Sequence, residues 1–213
     1  RDALALALLD VGLALEQVER HSVLQVPTGL ELAAAGLPAA REAAGTAYRT
    51  IGWVGPVPPE RREAMARLMS RMSTDVPTGG LEIEEEVWDA ERVAESDRVS
   101  ARVGRTRVLT AAEHVPTGEL VAYTYVDLPR DKPAVGYQED TLVHADHRGH
   151  RLGMLVKAEN LLRLAEHAPQ VRRLHTWNAD ENDHMLAINV ALGFRATSHE
   201  GGWQLTGIRT VSR

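Results

Sequence analysis

No cysteine occurs anywhere in the 213 residues. Disulfides, thiolate metal sites and a cysteine nucleophile are thereby excluded, and the absence fits a reducing compartment. Lysine is nearly absent as well: Lys132 and Lys157 stand alone, and every other basic side chain besides histidine is arginine. The formal net charge is −6, so no overall basic field draws the chain to nucleic acid or an anionic membrane. No long hydrophobic run exists. The longest, Ala3 to Leu15, is broken by Asp10 and too short to span a bilayer. It also lacks the basic flank and cleavage site of a signal peptide. What remains is 44% hydrophobic and 25% charged, the composition of a soluble globular protein, read here as cytoplasmic. The length suits one full domain plus a substantial fragment of another.

Taken in order, Asp2 is placed to cap a helix running to about Asp10, and a strand-like segment follows Gly12 through Val26. Ile188 to Phe194 has the same grammar: helix end, Gly193, then an alternating segment to Trp203 and Leu205. Aligning Gly12 with Gly193 puts Leu13 on Phe194, a faint internal repeat. Residues 1–26 are then the tail of an earlier copy of the domain, 27–45 a connector holding one short helix, and 46–208 the main domain. The tetrapeptide Val-Pro-Thr-Gly starts at Val26, Val76 and Val115, and its unequal spacing reads as recurring turn chemistry. Tyr48–Val54 is predicted as a strand, Pro59–Ser73 and about Glu84–Asp97 as helices, and Arg105–His114 with Glu119–Leu128 as a hairpin. Tyr137–Val143 and Val171–Asn178 are further strands. Asp180–Leu192 is a helix stopped by Gly193, and two short strands finish the chain.

One stretch organises the rest. After the strand ending at Val143 come Arg148, Gly149, His150 and Arg151, and then Leu152-Gly153 opens a long helix through Glu166. That helix has Leu155, Ala158, Leu162 and Ala165 on one stripe, with Lys157, Asn160, Arg163 and Glu166 away from it. Free amides at a helix start, beside two arginines, make an anion site on physical grounds. His144, His147 and His150 are spaced by three across a loop rather than on one helix face, a poor arrangement for a metal. Met65, Met69, Met72 and Trp88 fit core packing better than an apolar pocket.

Val143 to Gly153 resembles the acyl-CoA pyrophosphate loop of the GNAT acetyltransferases, written R/Q-x-x-G-x-G/A. Arg148 and Gly153 match it, while Arg151 stands where the middle glycine is expected. The element order from about Thr46 to Gly207 is also similar to that family. The resemblance implies an α/β (α+β) GNAT fold, with a mixed, mostly antiparallel sheet flanked by helices and a splayed strand pair holding acyl-CoA. It implies acetyl-CoA as acyl donor, its pantetheine arm on backbone groups of Leu142 and Val143. The pyrophosphate then lies on the amides of Arg148, Gly149, His150, Arg151, Leu152 and Gly153, with Asn178 and Asn182 near the cofactor.

Acyl transfer to an amine needs a base and an amide donor for the carbonyl oxygen. Glu139 and Asp140 are the candidate bases. As strand neighbours they point to opposite faces unless a bulge reorients them, and Asp140 is slightly favoured. Asn189 occupies the position where the family often has a tyrosine that protonates the CoA thiolate, and an amide cannot supply that proton. The leading reading is an N-acetyltransferase working by direct transfer to a primary amine of a small molecule or peptide. The rival is a weak or inactive acyl-CoA-binding module with a regulatory or structural role. A third is an unrelated α/β domain using the loop for another phosphate. The repeat suggests tandem-domain packing similar to mycothiol synthase-like members, or a homodimer. No nucleic acid, membrane or metal is expected.

Overall fold

A computed structural model describes residues 3–72 and 86–205. Among the described residues six helices flank a seven-stranded sheet. The helices are α1 (Ala3–Asp10), α2 (Val26–Ala44), α3 (Arg62–Ser70), α4 (Ala90–Arg102), α5 (Leu152–His167) and α6 (Asp183–Ala191). The strands are β1 (Ala14–Gln25), β2 (Tyr48–Val54), β3 (Arg105–His114), β4 (Glu119–Pro129), β5 (Val135–Val143), β6 (Arg173–Ala179) and β7 (Arg195–Gln204). They lie in the order β2-β3-β4-β5-β6-β1-β7, and among the described residues β5 beside β6 is the only parallel pair. The helix α5 between those two strands supplies the crossover that parallel pairing requires.

Each face of the sheet carries its own core. On one side α5 lies against β3 and β4, with α2 packed over it, through Leu37, Ala44, Leu155, Leu161 and Leu164. On the other, α3 and α4 bring Met65, Leu68, Met69 and Val93 onto Leu109, Tyr123 and Leu142. Met65 and Met69 are therefore core residues, and Met72 and Trp88 border the same cluster. The predicted start of α4 near Glu84 lies outside the described residues, and its described turns start later, at Ala90 with Asp89 as cap.

The structure differs from the sequence reading at its two ends. The stretch read as a connector is one 19-residue helix, and its Ala33, Leu37 and Ala40 are buried in the core. The strand before it pairs with β6 on one side and β7 on the other, so residues 14–44 pack inside the same unit as 46–205. One strand, β7, occupies the place where two short ones were expected, and β1 fills the sheet position between it and β6. Val-Pro-Thr-Gly also behaves in two ways. At Val115 it is the hairpin turn, while at Val26 it opens α2, with proline in the first turn where its missing N–H costs nothing. The copy at Val76 lies outside the described residues.

The two helix-glycine-strand units of the faint repeat are neighbours. Gly12 and Gly193 follow α1 and α6 with φ of 87° and 93°. Their strands run antiparallel with Ala14 opposite Gln204, Glu19 opposite Glu200 and Val23 opposite Arg195, a pairing close to two-fold symmetric.

Candidate active site

Strands β5 and β6 are hydrogen-bonded only from Val135 to Tyr137 against Arg173 to His175. Beyond that they part, and Gln138 to Thr141 of β5 with Trp177 to Ala179 of β6 line a cleft of ≈ 200 Å³. Gly136 permits the close start of the pair, because a Cβ there would sit 2.7 Å from Leu174 Cδ2. The splay exposes the β6-facing backbone edge of β5 from Gln138 to Val143, so polar backbone groups there are available to a ligand. This is the splayed strand pair expected of the fold.

The register of β5 against β4 slips at the same place. Thr124 faces Thr141 and Val126 faces Gln138, so Tyr125 alone stands across from Glu139 and Asp140. That is a β-bulge, and it re-aims side chains. Gln138 and Thr141, three apart, both bond Thr124 on one face, whereas Asp140 turns to the tyrosines on the other. Both Glu139 and Asp140 consequently border the cleft, which simple alternation forbids.

Their surroundings differ. Asp140 Oδ2 accepts hydrogen bonds from Tyr123 Oη at 3.3 Å and Tyr125 Oη at 3.4 Å. Burial raises its pKa while the two hydroxyls hold the rise in check. Glu139 sits at the mouth, open to water but hemmed in, and accepts no side-chain hydrogen bond among the described residues. Desolvation, then the nearby charges of Asp127 and Asp140, lift its pKa to about 7. A carboxylate poised near neutrality and reachable from solvent is suited to proton transfer. The two hydroxyls of Tyr123 and Tyr125 are pushed up by burial and by Asp140, so they remain protonated donors.

The loop is exposed from Arg148 to Arg151. Gly149 has φ of 86°, and Arg151, the N-cap of α5, has φ of 55°, the one non-glycine with positive φ among the described residues. The chain thus takes the left-handed turn the glycine would have taken, with an arginine in its place. No side chain caps α5, so the amides of Leu152 and Gly153, in its first turn, have no intrahelical acceptor. Arg148 Nε reaches back to the Val143 carbonyl at 3.4 Å. Beside the loop, Tyr48 Oη meets His147 Nδ1 at 3.0 Å, and His114 and His144 ring the same histidine. Burial, then His114 and His144, lower its pKa.

The asparagines are split between roles. Asn178 and Asn182 border the cleft, and Asn182 also caps α6 by accepting from Met185 N at 3.2 Å. Asn189 lies behind the cleft wall, 2% exposed, donating Nδ2 to Asn178 Oδ1 at 2.7 Å. Its own Oδ1 is buried with no partner, an orphaned acceptor one residue away from the cleft.

Four contributors escaped the sequence reading. Lys157 and Asn160, placed on the polar side of α5, are 2% and 1% exposed and face the sheet. The polar side of α5 is the one packed on β3 and β4, so these side chains are interior. Asn160 is satisfied by Thr110 Oγ1 and the Val108 carbonyl. Lys157 borders the cleft. The other two are Trp177, on the part of β6 that leaves β5, and Glu19, brought to the cleft by the unforeseen position of β1. Tyr123-Thr124-Tyr125, with its two rings on one strand face, was the available signal for the Asp140 shelf.

No protein-family model and no curated protein matches the chain. Solved structures do. A tandem GNAT protein from the clavulanic acid biosynthesis pathway superposes with TM-score 0.72 and is 31% identical, covering 95% of this chain and 58% of its own. A GCN5-related N-acetyltransferase from Kribbella flavida superposes with TM-score 0.56 at 13% identity, over 96% of this chain and 64% of its own. A Salmonella typhimurium acetyltransferase solved with its cofactor acetyl-CoA gives 0.51 at 14% identity, over 70% and 82%. The chain belongs to the GCN5-related N-acetyltransferase (GNAT) superfamily. It spans less than two thirds of the length of the tandem protein it resembles. No described helix is long and apolar enough to cross a membrane.

Proposed function

We propose that the chain catalyses transfer of an acetyl group from acetyl-CoA to a primary amine, directly and without an acyl-enzyme. The observation that carries this reading is the coincidence of the strand splay and the bulge, which puts a near-neutral carboxylate at the mouth of the cleft. The residues present fit the donor. The edge of β5 near Leu142 and Val143, which β6 does not pair, would hold its amide-bearing arm. The uncapped start of α5, with Arg148, Gly149, His150, Arg151, Leu152 and Gly153, would hold its phosphates. Asn178 and Asn182 would line the arm, and the orphaned Asn189 Oδ1 would receive a donor. Acetyl-CoA supplies an activated thioester; the chain's residues position it, exclude water and handle protons.

Glu139 is the base in this reading, in preference to Asp140. Asp140 is committed to two tyrosine hydroxyls, whereas Glu139 is open to the acceptor side. Asp140 and the tyrosines then hold the bulge in shape. Acetylation by the wild type should be followed as thiol release with a panel of amines. Glu139→Gln should lower kcat by roughly 10²–10⁴-fold, and Arg148→Ala should weaken CoA binding. CoA affinity unchanged in Arg148→Ala would sink the loop assignment. CoA binding with no turnover on any amine would return the chain to a binding module.

The domain reading is also a proposal: residues 1–26 as the tail of a preceding GNAT-like domain, 27–45 as the connection, here formed by α2, and 46–208 as the acyltransferase domain. It is supported by α1, which buries no residue and exposes Leu4, Leu6 and Leu9, and by the near two-fold pairing of β1 with β7.

A further inference from the structure

Two chemical needs follow from the proposed transfer, and Glu139 meets only one. When the C–S bond breaks, its electron pair goes to sulfur, which needs a proton. Asn189 has none to give. Tyr123 and Tyr125 are tied to Asp140 rather than to the cleft wall where Asn178 and Thr141 stand.

Lys157 stands at that wall. It rises from the second turn of α5 into the space left by the splay, bordering the cleft together with Thr141 of β5 and Asn178 of β6. It is 2% exposed. Its Nζ has one polar neighbour, Thr141 Oγ1, at 3.5 Å, and lies 5.7 Å from the ring centre of Phe194. No carboxylate pairs with it among the described residues. The acidic groups bordering the same cleft are Glu139 and Asp140 on β5 and Glu19 on β1, and none is within 4.0 Å of Nζ. A buried amine with two of its three donor positions unused, on the floor of a ligand cleft, is a group awaiting a partner.

We propose, resting on the transferase reading above, that Lys157 is the proton donor to the departing sulfur of the acyl donor. The acceptor nitrogen attacks the carbonyl carbon; the C–N bond forms and the C–S bond breaks. The nitrogen's surplus proton passes to Glu139, and one proton of the Lys157 ammonium passes to sulfur. CoA leaves as the thiol, and water returns a proton to Lys157 and removes one from Glu139. Burial lowers the Lys157 pKa to about 7, below an ordinary thiol near 8.5, so transfer from ammonium to thiolate runs downhill.

The chain's two lysines make the test direct. In the 213-residue chain labelled with [ε-13C]lysine, the NMR spectrum contains one signal from Lys132 and one from Lys157. CoA should move the Lys157 signal and its titration midpoint, whereas desulfo-CoA, which lacks only the sulfur, should leave the midpoint near that of the free protein. Lys132 is the internal control. Kinetically, Lys157→Met should lower kcat roughly a hundredfold or more with the KM for acetyl-CoA little changed. The deficit should shrink with an aryl thioester, whose thiolate leaves without a proton. Lys157→Arg, charged but unable to give up its proton, should be as slow as the methionine variant.

Identical responses to CoA and desulfo-CoA, or full rescue by arginine, would overturn the proton-donor role while leaving the transferase reading intact. Absence of any CoA binding by the wild type would overturn both.

Discussion

Replacing Lys157 by methionine should make the protein more stable, by an amount that depends on pH. The lysine is fully enclosed, and burial alone lowers its pKa from 10.5 to about 7. Between these two values the unfolded chain binds a proton that the folded chain does not. Stability attributable to this group therefore rises as pH rises from 7 toward 10.5, and is lowest below 7. At pH 7 the folded state is disfavoured by about 4 kcal/mol relative to a lysine that is neutral in both states, and at pH 9 by about 2 kcal/mol. Methionine fills much the same volume without the charge and loses only the long contact to Thr141. The variant should be more stable by roughly 2–4 kcal/mol at pH 7. For a domain of this size that corresponds to a Tm rise on the order of 5–15 °C. The gap should narrow by about 2 kcal/mol at pH 9. Urea denaturation of both proteins at pH 7, 8 and 9 measures it, and taking the difference cancels the other titrating groups. A difference that stays flat with pH, or a variant less stable at pH 7, would refute the buried-ammonium account. A stabilising substitution that removes activity is the pattern expected where a strained group is kept for function.

Two further substitutions test the backbone that shapes the cleft. Arg151→Gly should relieve a left-handed conformation that costs an ordinary L-residue about 1–2 kcal/mol, partly offset by the greater freedom of glycine in the unfolded chain. A net gain of up to about 1 kcal/mol in denaturant unfolding is expected, and a clear loss would show that the side chain holds the loop. Gly136→Ala would place a Cβ 2.7 Å from Leu174 and 3.0 Å from Leu128 and Val126, destabilising by about 1–3 kcal/mol. An unchanged denaturation midpoint would mean that β5 and β6 are not held together where Gly136 meets Leu174.

Much of the fold was legible because periodicity and turn chemistry are local. The hairpin of β3 and β4, the glycine stop at Gly193 and the strand-loop-helix around Arg148 all follow from residues close in the chain. The features that local pattern does not reveal depend on distant packing. Lys157, Asn160 and Arg163 have the spacing of a solvated helix face, yet α5 turns this face to the sheet, where Asn160 and Arg163 bond Thr110. The same applies to Val-Pro-Thr-Gly, which turns at Val115 between two pairing strands but starts a helix at Val26, where Arg172 accepts the Val26 amide. Arg151 stands out in sequence as an arginine at a glycine position; that it adopts the glycine conformation regardless is a property of the assembled loop.

The sequence by itself determined the class of fold and the loop at the start of α5, because those rest on short-range patterns that tolerate little else. Tertiary structure decided the chemistry of the cleft. A one-residue bulge, invisible in the run Gln138-Glu139-Asp140-Thr141, turned two carboxylates toward one space and gave them different surroundings. A strand from the beginning of the chain, inserted between β6 and β7, carried Glu19 to the same place. The splay of β5 from β6 let a buried lysine reach the cleft. Which groups share a cavity, and how much water each keeps, is set by packing between elements far apart in sequence. Those two quantities fix the pKa of Glu139 and of Lys157, and with them what this site can do.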